Sequence, residues 1–560
     1  MTHRALCSLL LVAMLCSGCT PSSPALTPAP TATRGPAPTP TPVPPTPTPA
    51  PLRVWLDSSV PLAVRDPVSK ALQDQATAPA ASANAADLII SLDGPVSIAS
   101  WVYAVVVPFP TLADEVAWDD VLRFWSGESG ALSNLSSDGR TPTLYVTPET
   151  LGTLFGLLGP CAASSPLTVV SPEEQVDRLW KARPRSWAIV PFDELEPRLK
   201  VLSVEGVDVL DKKADLAQYP LALRFGAAGK GAEELASAVL GSSQVLTNRD
   251  TSRMTELLMT GVTALTRNTA IKMEQNGMLY PGEKIRDILR RADITHVSNE
   301  TSFMPECPPP RKGTMTFCSS PAYLDLFKDV GVDVVELTGN HLNDYVASYG
   351  WAPLRNTLAL LREEGWPYFG GGENLEDSRR PLLLTSDQNR LGFAGCNWWG
   401  PDYAWAGAES PGAAPCATAA DMELMRQVVS DTAQSVDVSV FTFQYLEIDE
   451  YQPTAQQRVD FRAMIDAGAD IVSGSQAHQP QAYEFYHGGM IHYGLGNLFF
   501  DQMQALGYRQ ELADRHIIYA GRHISTEVLT FMLEDYCQPR PMTREERSVL
   551  LKTIFQASGW

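Results

Sequence analysis

Residues 332–345 read Val-Asp-Val-Val-Glu-Leu-Thr-Gly-Asn-His-Leu-Asn-Asp-Tyr, an apolar run that ends in a polar loop. The run 332–337 predicts a buried β-strand, and Gly339-Asn340-His341 predicts a turn that presents an amide and an imidazole. Helical patterns flank this segment at 321–330 and 351–364. A strand between two helices is typical of parallel βαβ units, in which functional residues gather past the carboxyl ends of the strands.

The pattern of a strand followed by a polar loop recurs along residues 252–535. Three more strand-like runs have this form: 293–298 leads into Asn299-Glu300, 436–443 into Gln444, and 471–473 into Ser475-Gln476-Ala477-His478. Repeated alternation of strands and helices predicts an α/β domain whose polar loops share one edge.

Four segments in this region resemble the motifs of the CapA family of capsule and poly-γ-glutamate synthesis proteins. Leu337–Tyr345 is similar to the N-H-x-x-D-Y loop of that family, Val297–Glu300 to its G-N-x-E loop, Ala467–His478 to its G-A-D-x-V-x-G-x-x-x-H segment, and Ile491–Asp501 to its Y-S-L-G-N-F-x-F-D strand pair. Each motif alone is weak evidence, but four in the family's order are specific.

The resemblance implies a four-layer αββα sandwich of the calcineurin-like metallophosphoesterase type, with a metal site at its loop end. Carried over by position, Glu300, Asn340 and His478 would be metal ligands, His341 the general acid, and Asp344 the residue that orients His341. The residues expected to bind substrate are Asn299, Arg267, Gln444, Gln476 and Asn497.

The sequence departs from the family at positions that matter for metal binding. Val262 stands where the family has a principal carboxylate ligand, Gln444 replaces a histidine, and Ser475 and Gln476 replace two more. So few anionic donors predict one weakly held divalent ion (Mn, Zn or Fe) or none. Two mechanisms therefore stay open: a metal-dependent hydrolase, or a degenerate site that binds polymer or partner proteins without turnover.

The start of the chain indicates export. Arg4 precedes a short apolar run that ends near Cys19, which predicts a lipoprotein signal peptide at 1–18 and lipidation at Cys19. An ordinary secretory signal cut nearby is the alternative, and it also exports the protein. Residues 19–51 are almost wholly Pro, Thr, Ala and Ser, which predicts an extended, disordered stalk. We expect the protein to lie at the cell surface or on the periplasmic side of a membrane, held there by a lipid anchor.

Residues 52–245 form a first predicted α/β domain. Their layout resembles a two-lobed, type 2 periplasmic solute-binding protein, although an α/β domain without a ligand fits the same pattern. A solute-capturing lipoprotein is therefore a third possible function. The CapA-like domain is placed at 246–540, and a C-terminal helix at 541–560.

The net charge limits which molecules the protein can bind, and the cysteines indicate which disulfides it can form. With 43 basic and 64 acidic residues, the formal net charge is −21, which disfavours nucleic-acid binding. It would also repel a free polyanion unless a local basic pocket or a metal intervenes. The resemblance nevertheless implies an anionic polymer, or polymer-synthesis proteins, as partners. An exported chain permits disulfides, and Cys307–Cys318 and Cys396–Cys416 are the plausible local pairs, although sequence alone leaves the connectivity open.

Overall fold

The computed structural model describes residues 50–73, 75–241 and 245–560, together with Gly35. Residues 51–560 form one compact unit. The predicted signal peptide at 1–18, the lipidation site Cys19 and nearly all of the stalk at 19–51 lie outside the described residues. Within the described ranges, no helix is long and apolar enough to cross a membrane.

The N-terminal part is built on one mixed sheet. Its strands are β1 Leu52–Leu56, β2 Thr77–Pro79, β3 Leu88–Leu92, β4 Val96–Pro108, β5 Glu115–Val116, β6 Thr143–Val146, β7 Leu167–Val169, β8 Ser186–Pro191, β9 Leu199–Val204, β10 Ala222–Gly229 and β11 Leu246–Thr247. Its helices are α1 Leu62–Leu72, α2 Trp118–Trp125, α3 Pro148–Leu158, α4 Pro172–Lys181 and α5 Ala232–Leu240.

Two parallel groups of strands make up this sheet, in the order β2-β1-β3-β10-β4-β8-β6-β7. Strands β2, β1 and β3 run parallel, as do β7, β6 and β8. The long strand β4 joins the groups by pairing antiparallel with β10 and with β8. Strand β11 also pairs with β4, so the N-terminal sheet extends slightly past the predicted boundary at residue 245. The α/β class of this part is confirmed, and its likeness to a solute-binding protein stays a prediction.

The C-terminal part contains two sheets. Its strands are β12 Met254–Thr260, β13 Val262–Thr263, β14 Ile294–Asn299, β15 Val334–Glu336, β16 Tyr368–Phe369, β17 Gly371–Gly372, β18 Leu382–Ser386, β19 Asn389–Asn397, β20 Gly412–Ala413, β21 Val438–Gln444, β22 Ile471–Ser475, β23 Tyr483–Tyr486, β24 Gly489–His492, β25 Asn497–Phe499, β26 Gln510–Tyr519, β27 Arg522–Glu534 and β28 Gln538–Pro541. Its helices are α6 Arg267–Asn276, α7 Arg286–Leu289, α8 Leu324–Val330, α9 Val346–Tyr349, α10 Ala352–Glu364, α11 Leu375–Ser378, α12 Ala419–Ala433, α13 Ala455–Asp466, α14 Leu506–Arg509 and α15 Arg544–Ala557.

These elements stack as the predicted four-layer αββα sandwich. One sheet has the order β16-β15-β14-β12-β26-β27-β28, and the other β18-β19-β21-β22-β24-β23. An apolar layer that includes Leu257, Phe393 and Val440 fills the space between them. Helices α6, α8 and α10 cover the outer face of the first sheet, and α12 and α13 cover that of the second. The fold class is thus confirmed, because each sheet buries one face on its partner and the other under helices.

The last helix, α15, lies within the predicted segment 541–560 and packs between the two parts. Leu551 and Phe555 of this helix join an apolar cluster that contains Phe109 from the N-terminal part and Tyr483 from the C-terminal part. The two predicted disulfides, Cys307–Cys318 and Cys396–Cys416, are both formed.

Candidate functional site

The predicted site residues follow strands of both sheets. Glu300 follows β14 and Asn340-His341 follow β15, and these strands run parallel. Gln444 ends β21, and Gln476–His478 follow β22, its parallel neighbour. The loops therefore leave their sheets at the carboxyl ends of the strands, where α/β folds place their sites.

Backbone geometry brings these loops into close contact. A Cβ atom on Gly339 would lie 2.5 Å from the Cα of Glu300, so the loops after β14 and β15 touch through a position where only glycine fits. On the opposite loop, Gln476 and His478 adopt φ angles of 81° and 58°. Non-glycine residues in this left-handed region are uncommon and cluster at functional sites.

His341 and Asp344 form a partly buried pair. His341 Nδ1 lies 2.6 Å from Asp344 Oδ2, and the Phe317 backbone N–H donates to the same oxygen over 2.7 Å. Burial alone would lower the pKa of His341, but the Asp344 hydrogen bond and the charges of Glu300 and Asp344 outweigh it, so this pKa lies above its ordinary value of 6.5. An imidazolium oriented in this way is suited to donate a proton or to bind an anionic group.

Glu300 and His478 face each other across the site. His478 Nε2 lies 4.0 Å from Glu300 Oε1, while His478 Nδ1 lies 2.9 Å from Asn497 Oδ1. Burial lowers the pKa of His478 to about 4, so this imidazole is neutral at pH 7. Burial also raises the pKa of Glu300 to about 7, and neither of its carboxyl oxygens has a hydrogen-bond partner. This carboxyl is therefore buried with its hydrogen-bonding capacity unused.

Amide side chains fill the remainder of the centre. Gln444 Nε2 donates to Asn340 Oδ1 over 3.1 Å and also to Gln476 Oε1. Ser475 Oγ donates to Gln444 Oε1. The residues that stand where the family has histidines thus satisfy one another without a metal ion.

Three residues predicted to bind substrate have partners inside the protein. Arg267 Nε donates to Asp501 Oδ1 over 2.9 Å, and its guanidinium lies over the ring of Phe500. The amide of Asn497 donates to Gln502 and to the Tyr508 carbonyl, and that of Asn299 to the Thr301 carbonyl. These contacts brace the loops, so a role in binding substrate stays a prediction for all three.

The donor set does not fit a two-metal centre. Within residues 50–73, 75–241 and 245–560, no group of three His, Cys, Asp or Glu side chains is placed to hold a metal ion. Glu300 is the one carboxylate beside Asn340 and His478 in the predicted ligand set, and two dications close together need more negative charge than that.

Comparison with known proteins bears on the same residues. The family described as "Bacterial capsule synthesis protein PGA_cap" matches residues 256–502, which include all of these loops. Residues 256–502 of this chain are thus similar to the CapA-type capsule synthesis proteins. Capsule biosynthesis protein CapA of Bacillus anthracis is 27% identical over 220 residues, 39% of this chain and 51% of that protein. PGA biosynthesis protein CapA of Bacillus subtilis is 30% identical over 181 residues, 32% and 45% of the two chains. This chain thus spans about half the length of these relatives.

Solved structures resemble the chain less closely. An ABC-type phosphate transport receptor from Vibrio cholerae covers 34% of this chain and 93% of its own, at 12% identity and a TM-score of 0.27. The sulfate thiohydrolase SoxB of Thermus thermophilus covers 52% of this chain and 47% of its own, at 10% identity and a TM-score of 0.27. Scores this low do not establish a common fold.

The C-terminal domain has an apolar residue at position 262, where a metal-binding carboxylate was expected. Val262 is fully buried and clusters with Ala264, Phe317 and Phe500. Val262 has no donor atom and packs in a small apolar cluster, so this position cannot supply a metal ligand. The sequence departure at this position thus has a structural counterpart.

Sequence reasoning missed two aromatic residues of the site. The Phe317 ring lies 3.9 Å from the His341 ring between centroids, and Tyr403 Oη donates to Asp344 Oδ1 over 3.3 Å. Phe317 immediately precedes Cys318, so the predicted disulfide loop was the available signal. Nothing in the sequence around Tyr403 pointed to Asp344.

Proposed function

We propose that this chain is an exported accessory protein in the synthesis, export or attachment of an anionic surface polymer of the capsule or poly-γ-glutamate type. The observation that carries the proposal is that the CapA-family match at 256–502 coincides with the sandwich whose loops converge on His341 and Glu300. The names of the relatives refer to capsule and poly-γ-glutamate synthesis, and we extend that role to this chain.

In this proposal the domain acts by binding. His341, held by Asp344, supplies a positively charged donor for a carboxylate. The buried amides of Asn340, Gln444 and Gln476 form a neutral hydrogen-bonded cluster in the same group of loops. If one divalent ion binds, Glu300, Asn340 and His478 would hold it. The apolar corner at Val262 and the satisfied amides argue against a second ion.

Membrane attachment through Cys19 is part of the proposal. The cysteine lies at the end of a signal-like segment, and a proline-rich segment follows it. The two disulfides support an oxidising compartment outside the cytosol. Metabolic labelling with a radioactive fatty acid tests the anchor: wild-type protein should carry label, and Cys19→Ala should not.

Metal-dependent phosphoester hydrolysis is the second candidate. The His341–Asp344 pair favours it, because a histidine with a raised pKa can protonate a leaving oxygen. Under this alternative, Glu300 and His478 would have to hold the ion that activates water.

One experiment separates the two candidates. Purified full-length chain is titrated with size-defined poly-γ-glutamate and an acidic polysaccharide, and separately assayed for phosphodiester turnover with Mn²⁺. We expect binding to at least one polymer, weakened in His341→Ala and unchanged in His487→Ala, whose imidazole is exposed. Turnover that needs Mn²⁺ and disappears in His341→Ala would establish the hydrolase instead.

A further inference from the structure

The rim of the His341–Asp344 pair carries an unusual share of the exposed aromatic surface. Four large aromatic side chains are exposed in the part of the chain that the structure describes, each by a little over two fifths: Phe155, Tyr349, Trp399 and Tyr403. Three of the four lie in segments that adjoin this pair: Tyr349 ends α9, which begins two residues after Asp344, and Trp399 and Tyr403 lie in the loop that contacts Asp344. Solvent-exposed aromatic groups gathered beside a polar site mark a binding surface.

Specific contacts tie these aromatic residues to the site. Tyr403, 42% exposed, donates its hydroxyl to Asp344, and the Asn343 side chain donates to the Tyr403 carbonyl over 2.9 Å. Trp399, also 42% exposed, lies in the same loop. The Tyr349 and Tyr345 rings are 6.1 Å apart between centroids, and Tyr345 directly follows Asp344. The four residues Tyr345, Tyr349, Trp399 and Tyr403 are called the aromatic rim below.

Basic residues without partners lie beside the aromatic rim. Arg311 and Lys312 are exposed in the disulfide-closed loop between Cys307 and Cys318, and neither forms an ion pair with any residue that the structure describes. This loop is anchored beside the rim, because the backbone N–H of its Phe317 donates to Asp344 Oδ2 over 2.7 Å. Burial raises the pKa of Tyr345, and the charge of Arg311 opposes that rise. The chain has a net charge of −21 and would repel a polyanion, so a polyanion needs a local patch of positive charge such as this one to bind.

We propose that the aromatic rim and the Arg311–Lys312 pair bind an acidic polysaccharide, whose pyranose rings stack on the aromatic faces while its carboxylates meet the basic pair. Aromatic side chains offer flat, polarisable faces to the C–H groups of a sugar ring, and a poly-γ-glutamate chain has no ring to stack there. The inference rests on the proposed function, since it names the class of anionic polymer that the same site accepts.

The test compares two polyanions on the purified full-length chain. Oligogalacturonate and poly-γ-glutamate of matched charge are titrated by calorimetry and by tryptophan fluorescence, at low and high salt. We expect oligogalacturonate to bind and to change the tryptophan signal. Its Kd should rise about tenfold in Trp399→Ala and in Tyr349→Ala, because exposed aromatic anchors commonly carry that much of a binding energy. Two independent surface variants guard against one that fails to fold.

Matched controls come from the same chain. Phe155→Ala removes an exposed aromatic ring far from His341 in the sequence, and Lys552→Ala removes an exposed lysine from α15; neither should change the Kd. Arg311→Ala with Lys312→Ala should weaken binding and reduce its salt dependence.

Each remaining outcome decides the inference. Equal affinity of Trp399→Ala, Tyr349→Ala and wild type for oligogalacturonate would overturn it. Binding of poly-γ-glutamate alone, insensitive to Trp399→Ala, would overturn it while the proposed function stands. Binding of neither polymer would overturn both.

Discussion

His341 Nδ1 lies 2.6 Å from Asp344 Oδ2, inside a single loop, and residues from two other loops hold this pair in place. Phe317 donates its backbone N–H to Asp344, and its ring contacts the imidazole at a tilt. Tyr403 donates its hydroxyl to the second carboxyl oxygen. A pair braced in this way keeps its orientation without any ligand, which is the preorganisation that a binding or catalytic site needs.

Replacing Asp344 by asparagine should lower the pKa of His341, because burial is then opposed by the charge of Glu300 alone. The raised pKa of His341 stabilises the fold below the unfolded-state pKa, and this contribution is lost as the pH rises through the folded-state pKa. Asp344→Asn should therefore cost more stability at pH 5 than at pH 9. NMR titration of the imidazole and thermal unfolding check both statements. Tyr403→Phe is the control, since it leaves the Oδ2 contact intact, and an unchanged pKa in Asp344→Asn would contradict this account.

Restoring the family's ligand types should create a metal site. Val262→Asp, Gln444→His and Gln476→His together add a carboxylate and two imidazoles around Glu300 and His478. Without metal this variant should be less stable than wild type, because a buried charge at position 262 has no partner. Mn²⁺ at 100 times its Kd should then stabilise it by about 2.7 kcal/mol. Calorimetric unfolding with and without Mn²⁺ measures this stabilisation. The control carries Val262→Asn together with Gln444→His and Gln476→His. If Mn²⁺ does not change the stability of this variant, the loops cannot accommodate an ion.

Glu511 offers a way to stabilise the fold. It is fully buried, neither carboxyl oxygen has a hydrogen-bond partner, and burial raises its pKa well above 4.5. An acid with a raised pKa costs stability as the pH rises above the unfolded-state value. Glu511→Gln should therefore stabilise the protein by about 1–3 kcal/mol at pH 8, and less at pH 4. Chemical unfolding at both pH values tests this, with the exposed Glu363→Gln as a control that should change neither.

Acid should weaken the protein through buried histidines. Burial lowers the pKa of His516 to about 4, and that of His523 well below 6.5. A base with a lowered pKa takes up its proton more readily in the unfolded chain, so stability falls as the pH drops from 6.5 towards 4. His516→Asn should flatten the dependence of the melting temperature on pH in that range. The exposed His487→Asn should leave its slope unchanged. An equal slope in all three proteins would mean that other groups govern acid unfolding.

Much of the sandwich was predictable because its signals are local. The strand predicted at 293–298 is observed at Ile294–Asn299, and the helix at 351–364 at Ala352–Glu364. Both local disulfide pairs are formed as well. Apolar runs, glycine stops and short cysteine spacings depend on neighbouring residues alone, so the sequence shows them directly.

Partners far apart in sequence could not be predicted. The ion pair between Arg267 and Asp501, the contact of Tyr403 with Asp344, and the seating of α15 against Phe109 all join distant segments. Arg267 was expected to reach substrate, but its nearest acid is contributed by a strand end more than two hundred residues later. Such pairings depend on the register of whole sheets, which no local pattern encodes.

Sequence alone determined which residue types stand in the loops: an amide and an imidazole after one strand, a carboxylate after another, and glutamines where relatives have histidines. Tertiary structure decided what those residues do to one another. It buried Glu300 without a partner, joined the glutamines to Asn340, and placed Phe317 on His341. The physical reason is that burial and distance set charge and hydrogen bonding, and both quantities exist only once the two sheets have packed together.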